Sequence, residues 1–147
     1  MNWNMITKTN IKNVYLIKLR SFSDRRGTLS VADEAEKELP FKIKRLFFIY
    51  NVKKGSVRAC HSTKIQQEAL FCLNGSLEVE VDDGFNKNKI LLDNPTRGLY
   101  IGRYVWRKLF NFSKDCVVLA ICDTKYIKND NITDYGKFLK IAQNKNT

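Results

Sequence analysis

The chain has 147 residues, the size of one ordinary domain, and such a chain buries about two-thirds of the surface that it exposes when unfolded. Hydrophobic residues make up 44% of the sequence and charged residues 28%, a balance that excludes a disordered tail and a fibrous repeat. The apolar runs 46–50 and 116–122 are much shorter than the roughly 20 residues of a membrane-spanning helix, so we expect no membrane association.

The net charge of +11 indicates an anionic partner. The basic residues are scattered along the chain and form no arginine-rich arm, zinc-finger spacing or helix-turn-helix pattern, so we expect a small anionic ligand such as a diphosphate, and no nucleic acid. Residues 1–4 do not open a secretory signal peptide, which predicts a cytoplasmic protein. There, the four cysteines should be buried and reduced.

Strand-like segments dominate the chain. In chain order we predict strands over 14–19, 43–52, 69–73, 77–81, 89–92, 98–101, 104–112 and 116–123. Leu77, Val79 and Val81 alternate with glutamates, which is typical of a strand with one buried and one solvent-facing side. Turn residues follow in 82–84, so the chain reverses there.

Helical spacing is found near the C-terminus. Residues 133–143 have an N-cap candidate in Thr133 or Asp134, followed by apolar residues at helical spacing. Since no linker, repeat or change of composition divides the sequence, we expect one domain over 1–147, with a barrel over about 12–125. Short strands followed by one helix predict an all-β fold, an antiparallel β-barrel or jelly roll with a short C-terminal helix.

The segment 55–75 resembles the first motif of the cupins. That motif contains a His-x-His pair and a glutamate; His61 and Glu68 fit it, whereas Thr63 replaces the second histidine. In the second cupin motif, Arg107 stands where the last histidine ligand is expected. A divalent metal would lack half of its ligands and would face an added positive charge, so we predict a cupin without a metal.

A series of different short motifs extends over most of the chain. They are Arg26-Gly27-x-Leu29, Pro40-Phe41-x-Ile43-Lys44-Arg45, Ile49-Tyr50, Arg58-x-x-His61-x-x-Lys64, Cys72-x-x-Gly75-Ser76, Asp82-Asp83-Gly84, Leu92-Asp93-x-Pro95, Gly98-Leu99-Tyr100-Ile101, Val105-Trp106 and Phe112-Ser113. Each motif is weak by itself. Together, their order and spacing resemble those of the sugar-nucleotide 3,4-ketoisomerases, metal-free cupins that act on dTDP-4-dehydro-6-deoxyglucose.

This resemblance implies an isomerase without a cofactor, which moves a keto group from C4 to C3 of a dTDP-linked 6-deoxyhexose through an enediol. The product would supply an aminotransferase on the route to a dTDP-3-amino-3,6-dideoxyhexose for surface glycans. The resemblance also implies a homodimer with exchanged N-terminal strands. Whether the product belongs to the gluco or the galacto series stays open.

The candidate catalytic residues are His61, Tyr50 and Thr63. Histidine suits the removal of the C3 proton because its ordinary pKa of about 6.5 leaves much of it neutral at cellular pH. The family uses a His-x-His pair for this work, and Thr63 stands at the second, usually more important position. Because a threonine hydroxyl is a poor base, His61 would perform both proton transfers or share them with Tyr50, Glu68 or water.

The candidate substrate-binding residues are Arg26, Arg58, Lys64, Glu68, Tyr100 and Arg107. A guanidinium group can hold phosphate oxygens in a forked geometry, so the three arginines are candidates for phosphate or sugar contacts. Without a metal, Glu68 would pair with a nearby arginine or orient His61. Tyr50 and Tyr100 would hydrogen-bond the hexose, stack on thymine or pack in the core.

Two alternatives remain at this point. Thr63 motivates the first, a catalytically weak or inactive dTDP-sugar-binding cupin. The second is a 3,5-epimerase-type cupin, which usually pairs its histidine with an aspartate and a tyrosine. No convincing aspartate partner for His61 is visible in the sequence, which disfavours the epimerase.

Overall fold

The structure is a computed structural model that describes residues 6–33 and 38–145. Residues 1–4, on which the expected absence of a signal peptide rests, lie outside the described residues. The elements in chain order are β1 (Ile6–Lys8), β2 (Val14–Lys18), β3 (Arg20–Asp24), β4 (Gly27–Val31), β5 (Arg45–Ile49), β6 (Arg58–Thr63), β7 (Glu68–Asn74), β8 (Leu77–Asp82), β9 (Lys87–Leu92), β10 (Arg97–Ile101), β11 (Trp106–Phe110), β12 (Val117–Cys122), β13 (Asn131–Ile132) and α1 (Tyr135–Lys145).

Two antiparallel sheets form the body of the molecule. The larger has the strand order β1-β2-β10-β7-β12-β5, and the smaller has the order β13-β6-β11-β8-β9. The predicted all-β, antiparallel jelly-roll class is confirmed. The sheets do not close into one hydrogen-bonded barrel within the described residues, because the edge strands of each sheet pair with no strand of the other.

The main core lies between the sheets. Leu77, Val79 and Val81 of β8 are fully buried in it, as their alternation predicts. They share one apolar cluster with side chains of the larger sheet, such as Leu99 and Val118. Each fully buried aliphatic side chain of this kind stabilises the fold by about 1.5–3 kcal/mol, so the inter-sheet core holds the sheets in register.

A second apolar cluster covers part of the outer face of the larger sheet. Phe71 and Tyr100 pack there against Leu39, which comes from the loop before β5. The cover does not extend to β5, where Leu46 is 53% exposed and Phe48 is 61% exposed. The outer face of β5 is therefore apolar and open in a single chain.

Helix α1 packs on the outside of the smaller sheet. Phe138 and Ala142 are fully buried there, and Phe138 stacks against Trp106 of β11. Asp134 caps the helix, since its carboxylate accepts the backbone N–H of Lys137 at 2.9 Å. The helix thus begins and ends two residues later than the predicted span of 133–143. In the described parts of the chain, no helix is both long and apolar enough to cross a membrane.

The hairpin of β3 and β4 is a feature that the sequence did not predict. Its strands are joined by the hydroxyl pairs Ser21–Ser30 at 2.9 Å and Ser23–Thr28 at 2.8 Å. These polar cross-strand pairs replace the apolar alternation by which a strand is usually found in a sequence. The hairpin forms its own two-stranded sheet and is largely exposed.

The structure contains all four cysteines as free thiols, and their reduced state in the cell stays a prediction. Cys72, Cys116 and Cys122 are buried, and burial raises the pKa of Cys72 to about 12. Cys60 is exposed, so the expectation that all the cysteines are buried is wrong at this position. The reason is local, because Cys60 is the extra residue at an irregularity in the pairing of β6 with β11.

Candidate active site

A cavity of about 200 Å³ opens between the two sheets, beside β5, β6, β7 and β11. Phe47, Ile49, Leu70 and Leu109 form its apolar wall. The polar and charged side chains that line it are those of Arg45, Arg58, His61, Gln66, Glu68, Tyr126, Asp130 and Asn131. An apolar cavity into which a few polar groups converge is the usual form of a small-molecule site.

A β-bulge shapes the strand that carries His61. His61 is paired across the strands with Arg107, whereas Lys108 is paired with Ala59, so Cys60 is the extra residue between them. Ala59 and Cys60 both lie in the left-handed region, with φ angles of 67° and 55°. Two non-glycine residues held there mark a strained backbone, and such strain concentrates at functional sites.

The imidazole of His61 is mostly buried and has an unusually low pKa. Burial and, after it, the positive charge of Arg107 lower the pKa of His61 to about 4, although a backbone hydrogen bond at Ala59 and the charge of Asp130 act in the opposite direction. At neutral pH the imidazole is therefore uncharged and has a lone pair with which to accept a proton.

Arg107 and Glu68 form a buried ion pair behind His61. Nη1 of Arg107 lies 3.3 Å from Oε1 of Glu68, and the two side chains are 1% and 5% exposed. Nη2 of Arg107 also donates to the carbonyl oxygens of Gly102 and Val105, at 3.2 and 3.0 Å. The expected pairing of Glu68 with an arginine is thus observed, and it fixes one cation beside the imidazole.

Thr63 lies at the end of β6, next to this ion pair. It is 1% exposed, and Oγ1 donates a hydrogen bond to the carbonyl oxygen of Gln66 at 2.8 Å. Its closest contacts with the guanidinium of Arg107 are 3.4 and 3.5 Å long. Thr63 is not part of the cavity wall, and its hydroxyl proton is directed to the backbone.

The four positions that correspond to cupin metal ligands come together in the fold, but with different chemistry. Glu68 is bound by Arg107, and Thr63 is bound by the backbone, which leaves His61 facing the cavity. Within residues 6–33 and 38–145, no group of three or more histidine, cysteine, aspartate or glutamate side chains is arranged to hold a metal ion. The residues present do not fit a divalent metal.

Asp130 is a site residue that sequence reasoning missed. Its carboxylate accepts the backbone N–H groups of Lys64, Ile65 and Gln66, at 3.1, 2.8 and 3.0 Å. It thereby ties the loop after β6 to the segment before α1, and both segments line the cavity. In the sequence, Asp130 lies in a polar stretch that resembles an ordinary surface loop, so no local signal pointed to it.

Sequence reasoning also did not identify Gln66 and Arg45 as residues of the cavity. Gln66 joins Arg45 to Glu68: its Oε1 accepts from Nη2 of Arg45 at 2.5 Å, and its Nε2 donates to Oε2 of Glu68 at 3.2 Å. Arg45 belongs to a motif on which the family resemblance rests, and that motif was the available signal. The result is a polar network beneath the cavity that runs from Arg45 to Arg107.

The structure brings Arg58 to the cavity with His61 and Glu68, but not the other candidates. Arg26 is at the tip of the exposed hairpin and pairs with Asp24 at 2.6 Å. Tyr50 is 62% exposed and follows β5. The expected substrate contacts of these residues stay predictions.

Tyr100 and Lys64 also lie away from the cavity wall. Tyr100 is on the outer face of the larger sheet, donates to Gln67 and packs against Tyr15, and burial raises its pKa to about 12. Lys64 has an exposed side chain, and only its backbone is tied to Asp130. Their substrate contacts likewise stay predictions.

Comparison with known proteins gives a consistent result. Residues 12–143 match the family described as "FdtA: WxcM-like, C-terminal". Over 125 residues the chain is 40% identical to the TDP-4-oxo-6-deoxy-alpha-D-glucose-3,4-oxoisomerase of Aneurinibacillus thermoaerophilus, and the match covers 85% of this chain and 89% of that protein.

Solved structures agree with this match. The sugar 3,4-ketoisomerase QdtA of Thermoanaerobacterium thermosaccharolyticum, in complex with TDP, superposes with a TM-score of 0.87 at 35% identity, over 91% of this chain and 97% of that one. A substituted form of QdtA is known in complex with TDP-4-keto-6-deoxyglucose. WlaRA, a TDP-fucose-3,4-ketoisomerase of Campylobacter jejuni, superposes with a TM-score of 0.85 at 36% identity, over 90% and 97%.

The family match covers nearly the whole chain. The similar enzymes are 3,4-ketoisomerases that act on TDP-sugars, which confirms the expected membership in the sugar-nucleotide 3,4-ketoisomerases. The chain belongs to the FdtA family.

Proposed function

We propose that this protein is a 3,4-ketoisomerase that acts on dTDP-4-dehydro-6-deoxy-D-glucose, the compound that its relatives' names give as TDP-4-keto-6-deoxyglucose. The observation that carries the proposal is a single neutral histidine, His61, in the inter-sheet cavity of a chain that is 40% identical to such an enzyme. The reaction uses no cofactor and no metal.

The chemistry requires one group that takes a proton from C3 and gives one to C4. His61 removes the C3 proton, which is acidified by the neighbouring C4 carbonyl, and the C–H electrons form the C3–C4 double bond of an enediolate. His61 then returns the proton to C4, while the C3 hydroxyl loses its proton and becomes the new carbonyl, and O4 becomes a hydroxyl. One base can serve adjacent carbons when both proton positions lie on the same face of the enediol, as the glutamate of triosephosphate isomerase does.

Charges near His61 support this role. With a pKa of about 4, His61 is a weak base in the free protein. A bound diphosphate carries negative charge, which raises the pKa of a nearby imidazole toward the pH of the cell. Arg58, which lies at the cavity with an exposed side chain, is suited to bind that diphosphate in a forked geometry.

An enzymatic assay tests the proposal directly. The protein is incubated with TDP-4-keto-6-deoxyglucose, a 3-aminotransferase and an amino donor, and the products are separated by chromatography. A 3-amino sugar that is absent without the protein supports the proposal. In heavy water, deuterium should appear at C4 to the extent that His61 exchanges the proton with solvent before it returns the proton. Absence of the amino sugar above the control would refute the proposal, and deuterium at C5 would instead indicate a 3,5-epimerase.

A second candidate function is supported by Thr63. Its hydroxyl is turned to the backbone carbonyl of Gln66, so it contributes no base beside His61. The candidate is a catalytically weak or inactive dTDP-sugar-binding protein. Binding of TDP by calorimetry without turnover in the assay above would favour it over the isomerase.

We also infer that the protein is a cytoplasmic homodimer that exchanges N-terminal strands and supplies a route to dTDP-3-amino-3,6-dideoxyhexoses for surface glycans. The dimer is supported by apolar side chains that one chain leaves open, Phe22 and Leu29 on the β3–β4 hairpin and Phe48 on β5. A cavity of about 600 Å³ also lies at the base of that hairpin. Analytical ultracentrifugation tests this: a mass of 17.1 kDa, that of one chain, would refute the dimer.

A further inference from the structure

Arg45 is a cavity residue to which the proposed reaction has so far given no role. It opens β5, in which Arg45, Phe47 and Ile49 face the cavity, while Leu46 and Phe48 face outward. Arg45 therefore shares the cavity wall with His61, although the two residues lie on strands of different sheets.

One half of the Arg45 guanidinium is anchored. Nη2 donates to Oε1 of Gln66 at 2.5 Å and lies 3.7 Å from Sγ of Cys122. Gln66 is in turn held by Glu68, which is paired with Arg107. A guanidinium fixed through such a network loses little conformational freedom when it binds a ligand, which favours a defined contact.

The other half is not anchored. Nη1 of Arg45 is buried and has no hydrogen-bond partner within the described part of the chain. The other side-chain atoms in this condition belong to Ser62, Arg107 and Thr124, none of which lines the cavity. A buried donor left without a partner costs about 1–3 kcal/mol, so the atom calls for an acceptor that enters the cavity.

The guanidinium of Arg45 lies over the ring of Phe47, 5.7 Å from its centroid, but it has no anionic partner among the described residues. Among the described residues, no carboxylate lies within ion-pair distance of its guanidinium. Glu68 is engaged by Arg107, and Asp130 is engaged by backbone N–H groups. An oxygen that gains negative charge in the cavity would therefore meet a preformed cation, and preorganised donors of this kind are a main source of catalytic stabilisation.

We propose that Nη1 of Arg45 donates a hydrogen bond to an oxygen of the hexose and stabilises the negative charge that develops on it when His61 removes the C3 proton. This inference rests on the proposed function and names a further residue for it. It assigns Arg45 to the sugar, and Arg58 to the diphosphate.

The test separates contact with the sugar from contact with the nucleotide. Arg45→Met removes the donor and its charge, Arg45→Lys keeps the charge, and Lys44→Met is a matched control on an exposed neighbour outside the cavity. In Arg45→Met we expect kcat to fall by about 100-fold or more, with a smaller change in KM, as for the loss of an oxyanion donor. Arg45→Lys should recover part of kcat, and Lys44→Met should match the wild type.

Binding gives a readout that does not depend on turnover. In a His61→Asn background, calorimetry measures the affinities for TDP-4-keto-6-deoxyglucose and for TDP, with and without Arg45→Met. We expect about a tenfold loss for the sugar nucleotide, the value of a charged hydrogen bond, and an unchanged affinity for TDP. Equal losses for both ligands, or no loss for either, would overturn the proposal.

The outcomes remain distinguishable from failure of the proposed function. If the wild-type protein shows no turnover, the proposed isomerase function is refuted. The calorimetric comparison of TDP-4-keto-6-deoxyglucose with TDP still tests whether Arg45 contacts the sugar. If Arg45→Met does not fold, as judged by its thermal unfolding, Arg45→Lys serves in the same comparison, since it keeps a cation but lacks the second donor. Wild-type kcat in Arg45→Lys together with unchanged binding of the sugar nucleotide would then refute the contact.

Discussion

Nη1 of Arg107 lies 3.3 Å from Oε1 of Glu68, and both side chains are buried between the sheets. Removing two charges from water is costly, and their attraction offsets that cost only while both partners are present. The pair therefore makes each residue dependent on the other. It also holds a positive charge next to His61, which contributes to the low pKa of the imidazole.

Loss of one partner should therefore destabilise the protein strongly. Glu68→Gln leaves the buried guanidinium of Arg107 without its counter-ion, and we expect the free energy of unfolding to fall by about 3–5 kcal/mol. Urea denaturation followed by circular dichroism measures this change. As a control, Glu80→Gln breaks the looser pair with the half-exposed Lys87, 3.9 Å away, and should cost no more than about 1 kcal/mol. Similar losses in both variants would contradict the prediction.

The sequence contains a single histidine, so its titration can be followed without assignment. In protein labelled with ¹³C-histidine, the imidazole signal should titrate with a pKa of about 4. The same protein in concentrated urea should give the ordinary value of about 6.5. A value near 6.5 in the folded protein would mean that His61 is more open to solvent than its contacts indicate.

The same shift makes stability depend on pH. Because the pKa of His61 is lower in the folded state, at about 4, the unfolded chain binds an extra proton at intermediate pH. The contribution of His61 to stability is thus fully present above about pH 6.5 and is lost as the pH falls toward 4, with a slope on the order of 1 kcal/mol per pH unit. Urea denaturation at several pH values, compared with His61→Asn, isolates this contribution; parallel curves would contradict it.

His61→Asn should abolish turnover, because the carboxylates of the described cavity wall are engaged: Glu68 by Arg107, and Asp130 by backbone N–H groups. The variant should still bind TDP with nearly wild-type affinity, since the diphosphate is assigned to other residues. Enzyme assay and calorimetry on the same sample test both parts. Most of the activity remaining in a folded His61→Asn protein would assign the proton transfers to another group.

Thr63→Val tests whether the threonine hydroxyl takes part in proton transfer. Because Oγ1 donates to the backbone carbonyl of Gln66, its removal should cost about 1 kcal/mol of stability, the typical value of one hydrogen bond. The rate should stay within about threefold of the wild type, which corresponds to less than 1 kcal/mol in the barrier. A folded variant that is more than about 100-fold slower would instead make Thr63 a catalytic residue.

The fold was predictable where the residue pattern reflects burial. The alternation of Leu77, Val79 and Val81 gave the correct inner face of β8, because that strand has one buried side. The β3–β4 hairpin was not predictable, since paired hydroxyls such as Ser21 and Ser30 carry no hydrophobic period. Strand β13 is too short for any pattern, and it forms by pairing with the distant β6.

The site was predictable only in part. The spacing of His61 and Glu68 matches a motif, and the structure brings both residues to one cavity. The bulge at Cys60 could not be read from the sequence, because it follows from the register of β6 on β11. Gln66 and Asp130 depend on tertiary contacts in the same way, and neither residue has a local signature.

The carboxylate of Asp130 holds loop residues that precede it in the chain by 64 to 66 positions. Such distant contacts form late in folding, since the loop entropy between them must be overcome first. The wall of the cavity is therefore complete only when the segment before α1 has docked on the loop after β6. A change in either of these two segments, which are far apart in the chain, would alter the same wall of the binding site.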